Sequence, residues 1–219
     1  TKQNSQVTFD EDFFAVNPNV TSDGKLIIFA SNRSGSRQAW KMDFDGSDLE
    51  QITDGAAISL PGISPDGKWL FYHQSGVLWK KPLSGGEPIE FLKGGSRTRI
   101  TSDSKKVLSY YFDPAEKESS PFKYVMMPID GSEKFVETKM PSTLGIDWNL
   151  DGTEIYFGER KRNKSNVWVY SIADKTSRRL TDFDDLQVDY LKVSPDGKKI
   201  AIARGRSNSE VIKITGFDK

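Results

Sequence analysis

Ser194–Gly205 reads SPDGKKIAIARG, and Ser64–Gly76 reads SPDGKWLFYHQSG. One turn followed by one kind of apolar run, written in two distant places, marks an internal repeat, and a repeat decides the fold before any single residue does. The turn occurs five times: TSDGK at Thr21–Lys25, SPDGK at Ser64–Lys68, TSDSK at Thr101–Lys105, NLDGT at Asn149–Thr153 and SPDGK at Ser194–Lys198. Its aspartates, Asp23, Asp66, Asp103, Asp151 and Asp196, stand 43, 37, 48 and 45 residues apart. A period of about 40–45 residues belongs to propeller blades rather than to helical solenoids. Each copy is a turn for local reasons. Proline sets φ at the first corner, aspartate bonds back to nearby backbone, and glycine takes the φ > 0 position. Ser104 replaces that glycine in the third copy, which predicts a looser or different turn there.

A run with strand character comes after every turn: KLIIFAS, KWLFYHQ, KVLSYYF, TEIYFGE and KKIAIAR. A second run comes next, RQAWKMDF, GVLWKKPL, FKYVMMPI, NVWVYSI and SEVIKIT, with Trp40, Trp79 and Trp168 in equivalent places. A short turn then leads to a polar strand ending in or near Leu/Ile-Thr, as in LEQIT and SRRLT. Short strands, turn signals every 8–12 residues and no helical periodicity argue for an all-β chain.

The ends of the chain complete one another. The fifth unit stops after its third strand, while the opening SQVTFDEDFFAVNPNVTSDGK aligns with RRLTDFDDLQVDYLKVSPDGK. Thr8 to Asp23 and Thr181 to Asp196 are both 15 residues. The expectation is a single domain over 1–219, a five-bladed β-propeller of four-stranded antiparallel blades. The blades fall at about 13–53, 57–92, 96–138, 143–181 and 188–215, the last completed by 4–9. Lending an N-terminal strand to the C-terminal blade hides two sheet edges that would otherwise template aggregation. The alternative is a fragment of a larger ring. A start at Thr1 rather than Met fits a mature or trimmed product.

Composition excludes several classes. Lys plus Arg and Asp plus Glu are each 31, so no net field draws the chain to nucleic acid or an anionic membrane. With 13 Phe, 7 Tyr and 5 Trp a core can form at only 36% hydrophobic residues. The absence of Cys removes disulfides, thiolate chemistry and Cys-based zinc sites. No apolar stretch approaches the roughly 18 residues of a membrane span, and no signal peptide is present.

The stretch SPDGKWLFY and the run FASNRSGSRQAWKMDFDGSDLEQIT resemble the WD40-like β-propeller repeats of the bacterial TolB family. Similar repeats occur in the gating propellers of prolyl oligopeptidase-like and tricorn proteases. The ending ARGRSNSEVIKITGF is similar to the last repeat of propellers appended to winged-helix regulators or Ser/Thr kinases. The resemblance covers nearly the whole chain at the repeat level. It implies a periplasmic or otherwise extracytoplasmic protein-binding module. TolB itself has six such blades and an N-terminal α/β domain, whereas five repeats are found here.

No catalytic constellation is legible. The one histidine, His73, lies inside the strand WLFYHQ, and no G-x-S-x-G elbow presents a serine. A single His without Cys supplies no His-based metal cluster, which also disfavours oligogalacturonate lyases. DFDGSDLE (Asp43–Glu50) lacks the order and distal Glu of a calcium loop. ERKRNKSN (Glu159–Asn166), the one basic run, reads as a solvated hairpin tip. The expectation is therefore no enzyme, no metal and no cofactor. A five-bladed carbohydrate-active enzyme is an alternative, for which only Asp147 and Asp189 look placed.

Binding is expected at the axial tunnel, where a ring concentrates its innermost strands. Four residues before each turn aspartate stand Asn19, Gly62, Arg99, Asp147 and Lys192, and six before it Asn17, Leu60, Arg97, Gly145 and Tyr190. Period-two alternation would project both sets the same way. Val20, Ile63, Ile100, Trp148 and Val193, three before the aspartate, would then face the packing between blades. The expected binding residues are Asn17, Asn19, Arg97, Arg99, Asp147, Tyr190 and Lys192, with arginine as a bidentate carboxylate clamp. The competing reading is a self-satisfied ion-pair network around a water-filled channel. FDEDFFAV (Phe9–Val16) is a second candidate surface, where one of Phe13 and Phe14 should point outward. The partner is a protein or small molecule, with no nucleic acid and no membrane insertion, and the chain is expected to be monomeric. A regulatory propeller of a larger kinase, winged-helix regulator or peptidase is the alternative.

Overall fold

The computed structural model describes residues 6–8, 13–112, 122–132, 136–138, 143–149, 151–159, 164–194 and 197–205. Every regular element among them is a strand. No helix there is long and apolar enough to cross a membrane.

The strands form antiparallel meanders. The first sheet holds β1 (Ala15–Val20), β2 (Leu26–Ser31), β3 (Gln38–Asp43) and β4 (Glu50–Gln51) in that order. The second holds β5 (Ser59–Ile63), β6 (Trp69–Gln74), β7 (Val77–Pro82) and β8 (Ile89–Lys93). The third holds β9 (Gly95–Ile100), β10 (Lys106–Phe112), β11 (Phe122–Pro128) and β12 (Val136–Thr138). The fourth holds β13 (Thr143–Trp148), β14 (Glu154–Glu159), β15 (Val167–Ser171) and β16 (Thr176–Arg179). A fifth sheet contains β17 (Gln187–Val193) and β18 (Ile200–Gly205). The all-β class and the four-stranded antiparallel sheets are as the sequence indicated. The expected third strand of the last unit, 209–215, lies outside the described residues, as do most of 4–9. Gln6–Thr8 are described, and they carry no strand pairing.

The chain divides into two compact units, Thr1–Met140 with Asn149–Thr153, and Pro141–Trp148 with Glu154–Lys219. In the first unit, Ile28 and Ala39 of the first sheet pack on Ile58, Leu70 and Tyr72 at the second. The second sheet turns its other face, with Phe71, Leu78 and Leu92, onto Val107, Val125 and Met127 of the third. Alternation along β6 explains this: Leu70 and Tyr72 serve one neighbour and Phe71 the other. Each large side chain so buried contributes about 1.5–3 kcal/mol. In the second unit Val167, Val188 and Leu191 form the corresponding contact.

The turn motif repeats atom for atom in its first three copies. In the first copy Thr21 Oγ1 donates to Asp23 Oδ1 (2.6 Å) and accepts the Leu26 amide (3.0 Å), while Gly24 N–H donates to Thr21 O (2.8 Å). Ser64 with Asp66, Trp69 and Gly67 makes the same set in the second copy. Thr101 does so in the third, at 2.7 Å to Asp103, 2.9 Å from the Lys106 amide and 2.8 Å from the Ser104 amide. The turn at Ser104 is therefore neither looser nor different. Ser104 adopts φ +57°, the left-handed value that glycine takes elsewhere, and its Oγ accepts the Asp66 amide of the neighbouring turn at 2.9 Å. That bond offsets the cost of a side chain in left-handed backbone.

Two buried polar side chains hold neighbouring segments of the first unit together. Lys80 is 4% exposed; its Nζ donates to Ile129 O at 2.8 Å and stands 4.4 Å from the Trp69 ring and 5.4 Å from the Phe91 ring. Gln38, 1% exposed, donates from Nε2 to Ser36 Oγ, Gly55 O and Ala56 O. Its Oε1 accepts from Thr53 Oγ1 (2.8 Å), which itself accepts the Ala39 amide (2.9 Å). In the fourth sheet Asn166 and Thr181 reproduce this network: Thr181 Oγ1 donates to Asn166 Oδ1 and accepts the Val167 amide, both at 3.0 Å.

Candidate functional site at the bulged first strands

The first strand of every sheet carries one extra residue at nearly the same repeat position. Pairing steps from Val16↔Ala30 to Asn19↔Ile28, from Ser59↔His73 to Gly62↔Phe71, and from Ser96↔Tyr110 to Arg99↔Leu108. It steps from Leu144↔Gly158 to Ile146↔Phe157, and from Val188↔Arg204 to Tyr190↔Ala203. A bulge of this kind bends the strand and re-aims side chains, so strict alternation does not run through it. Three bulge residues at one register are left-handed: Asn17 (φ +54°), Arg97 (φ +47°) and Gly145 (φ +57°). Glycine is needed at 145, because a Cβ there would stand 3.0 Å from the Leu191 nitrogen and 3.1 Å from Tyr190 Cα.

The seven residues singled out from sequence separate into two kinds. Asn19 Nδ2 donates to Asn17 O (2.9 Å) and to Pro61 O (3.1 Å), tying β1 to β5. Asp147, 7% exposed, accepts the Val193 amide at 2.8 Å and pairs with Lys192 Nζ at 3.1 Å, tying β13 to β17. Each of these two thus bonds to the adjacent sheet. Asn17, Arg97, Tyr190 and Lys192 are exposed, and Arg99 is half-buried with Nη1 on Thr98 O. Arg97 and Arg99 sit two residues apart on β9, and among the described residues no ion pair engages either. Lys192, by contrast, is held by Asp147.

The residues three before each turn aspartate do not share one environment. Trp148 and Val193 are buried and Ile63 and Ile100 half-buried, but Val20 is 50% exposed, against expectation. Phe13 and Phe14 are both exposed, where one was expected outside. The acidic part of that second candidate surface, Phe9–Asp12, lies outside the described residues.

Chemistry elsewhere is sparse. Ser59 Oγ lies 3.4 Å from His73 Nδ1, and burial holds the imidazole below its ordinary pKa. Among the described residues no carboxylate orients that ring, and no group of three or more His, Asp or Glu could hold a metal ion. The turn carboxylates are tuned as structural groups. The Thr21 hydroxyl and Lys25 amide lower Asp23, and the Thr153 hydroxyl and amide lower Asp151.

Repeated four-stranded meanders, each with a bulged first strand joined to the second by a Ser/Thr/Asn-x-Asp turn, define the class as β-propeller repeats. No family model matches the sequence. A "Protein TolB homolog" of Chlorobium chlorochromatii is 29% identical over 150 residues, 61% of this chain and 31% of that protein. Its namesake in Chlorobium luteolum is 28% identical over 171 residues, 71% of this chain and 36% of that one. The chain thus spans about a third of the length of these curated relatives. Among solved structures, the putative TolB from Agrobacterium tumefaciens superposes with TM-score 0.69 at 21% identity, over 90% of this chain and 71% of that one. TolB from Acinetobacter baumannii gives 0.64 at 17%, over 77% and 43%. Pyrococcus horikoshii acylaminoacyl peptidase gives 0.64 at 16%, over 89% and 36%. The chain carries TolB-like β-propeller repeats.

Proposed function

We propose that this chain is a non-catalytic binding propeller that meets its partner at the axial face, with Arg97 and Arg99 as a carboxylate clamp. The observation that carries the reading is the backbone of Arg97. Two other sheets fill that left-handed position with Asn17 and Gly145, residues that tolerate it. An arginine there costs about 1–2 kcal/mol, and such strain gathers at binding sites. Arg99, on the same strand, supplies the second guanidinium, and paired planar donors match a carboxylate. Asn17 would line the same face in the first unit, and Tyr190 and Lys192 hold the corresponding positions on β17 of the second. Asn19 and Asp147 serve instead as the latches beneath it.

The five sheets are consecutive blades of one ring in this reading, the last of them completed by the N-terminal segment around Gln6–Thr8. The equal spacing from Thr8 and Thr181 to their turns supports this. The partner is a protein or small molecule bearing a free carboxylate, met outside the cytoplasm by a monomer. The share of the relatives' length that is spanned favours one second reading, in which this propeller serves as the binding part of a longer protein.

The test is NMR of the arginine Nε–Hε resonances during titration with short peptides carrying a free or an amidated C-terminus. Free acids should shift Arg97 and Arg99, and amides should not. The double change Arg97→Ala and Arg99→Ala should abolish the response while the melting temperature holds. Equal shifts with the amides, or binding that survives the double change, overturn the proposal.

A further inference from the structure

We propose that Asp54–Gly55 is a site of spontaneous backbone modification, at which the native protein converts aspartate to isoaspartate through a succinimide. The chain contains seven Asp–Gly pairs, headed by Asp23, Asp45, Asp54, Asp66, Asp130, Asp151 and Asp196. The reaction needs two free groups: a glycine nitrogen able to attack, and a side-chain carboxyl able to be attacked. Six pairs have the first group tied down. The amides of Gly24, Gly46, Gly67, Gly131, Gly152 and Gly197 each donate to a carbonyl three residues back, at 2.8–3.2 Å. The Gly55 amide makes no such bond among the described residues.

The carboxylates separate in the same way. Asp23, Asp45, Asp66, Asp130 and Asp151 each accept the backbone amide two residues on, at 3.2, 2.9, 3.1, 2.9 and 3.0 Å. Asp54 accepts no hydrogen bond at its carboxylate among the described residues, although Gln74 Nε2 donates to its backbone carbonyl. Asp54, Gly55, Ala56 and Ala57 are all exposed, so neither bulk nor burial slows attack. The glycine amides of the other six pairs are therefore held in turns, and Asp54–Gly55 is left reactive.

The step balances without any co-reactant. The Gly55 nitrogen gives its proton to solvent and bonds to Asp54 Cγ; a Cγ–O bond breaks, and the oxygen leaves as water. Hydrolysis of the ring at either carbonyl returns that water and yields aspartate or isoaspartate. The latter adds a methylene to the main chain inside Thr53–Ile58, the connection between β4 and β5. The carbonyls of Gly55 and Ala56, which Gln38 and Gln74 grip, would then be displaced. The product carries an α-carboxylate on a side branch, the substrate class of protein carboxyl methylation.

The experiment is ageing of the intact protein at neutral pH, then peptide mapping with electron-transfer fragmentation, which distinguishes isoaspartate. A parallel sample is kept unfolded in urea. In urea all seven pairs should isomerise at comparable rates, and in the native protein Asp54 should lead the other six several-fold. Asp54→Glu, whose ring would be six-membered, should leave that loop unmodified. If this variant fails to fold, the native-to-urea ratio of the parent protein decides alone. Isoaspartate arising first at any of the other six pairs, evenly at all seven, or at none in the native protein overturns the proposal.

Discussion

Gln38→Met removes an amide of similar length from a fully enclosed place, and its cost can be worked from its partners. Two of the carbonyls that lose a donor, Gly55 O and Ala56 O, belong to exposed residues and can turn to water. Thr53 cannot, being 5% exposed, so its hydroxyl is left without an acceptor. An orphaned buried group costs about 1–3 kcal/mol and each hydrogen bond exchanged for water about 0.5–1.5. The variant should therefore lose about 2–4 kcal/mol in urea unfolding, with an unchanged denaturant slope. Thr53→Val orphans the Ala39 amide, itself completely buried, and should cost about 1–3 kcal/mol. Combined, the two should lose less than their sum, with a coupling of about 1–2 kcal/mol, because each single change already breaks the bond between them. Strictly additive losses, or a Gln38→Met loss under about 0.5 kcal/mol, would show that the network is incidental.

Ser104→Ala should destabilise by about 1 kcal/mol, since the bond to the Asp66 amide goes while the left-handed strain stays; Ser104→Gly should be near neutral because both go. Thermal melts of the pair against the parent distinguish them. Acid unfolding should depend on the turn aspartates. Folding lowers Asp23, Asp45 and Asp151, so their stabilisation is complete above the ordinary carboxylate pKa of about 3.9 and is lost as pH falls through the lowered values. Asp23→Asn with Asp151→Asn should flatten the acid limb of a stability–pH profile. Lys80 carries the opposite sign. Burial lowers its pKa, so the unfolded chain binds more protons there, and stability should rise as pH climbs from the lowered value toward about 10.4. Lys80→Met should remove that rise, read by urea midpoints across the alkaline range.

The parts legible in the sequence are those whose physics is local. A Ser/Thr-x-Asp-Gly turn closes within six residues, so its hydroxyl, carboxylate and glycine can be read off adjacent letters. The Leu/Ile-Thr endings are equally visible, but their purpose is not. Thr53 and Thr181 bond to Gln38 and Asn166, fifteen residues upstream, across a strand and a turn. A signal is there: an amide heads the third strand in RQAW and SNVW, the two units that end in Leu/Ile-Thr, and both are missing from SGVLW and its partner IEFLK. The bulges stay hidden because unbroken alternation is the default for a strand, and one extra residue leaves no mark in a single copy. Asn17 and Gly145 at one repeat position hint at positive φ, and Arg97 at the third conceals it. Placing Asn19 and Asp147 among the binding groups rests on the same alternation, since only the bulged geometry turns them onto the neighbouring sheet.

The unity of the five sheets is most directly tested by removing residues 1–8 and comparing thermal unfolding of the shortened and intact chains. If the segment seals the last blade, the shortened chain should melt at lower temperature and lose protection from hydrogen exchange in both β18 and β1. An unchanged melting temperature, with exchange altered only beside the new terminus, would contradict the closed ring.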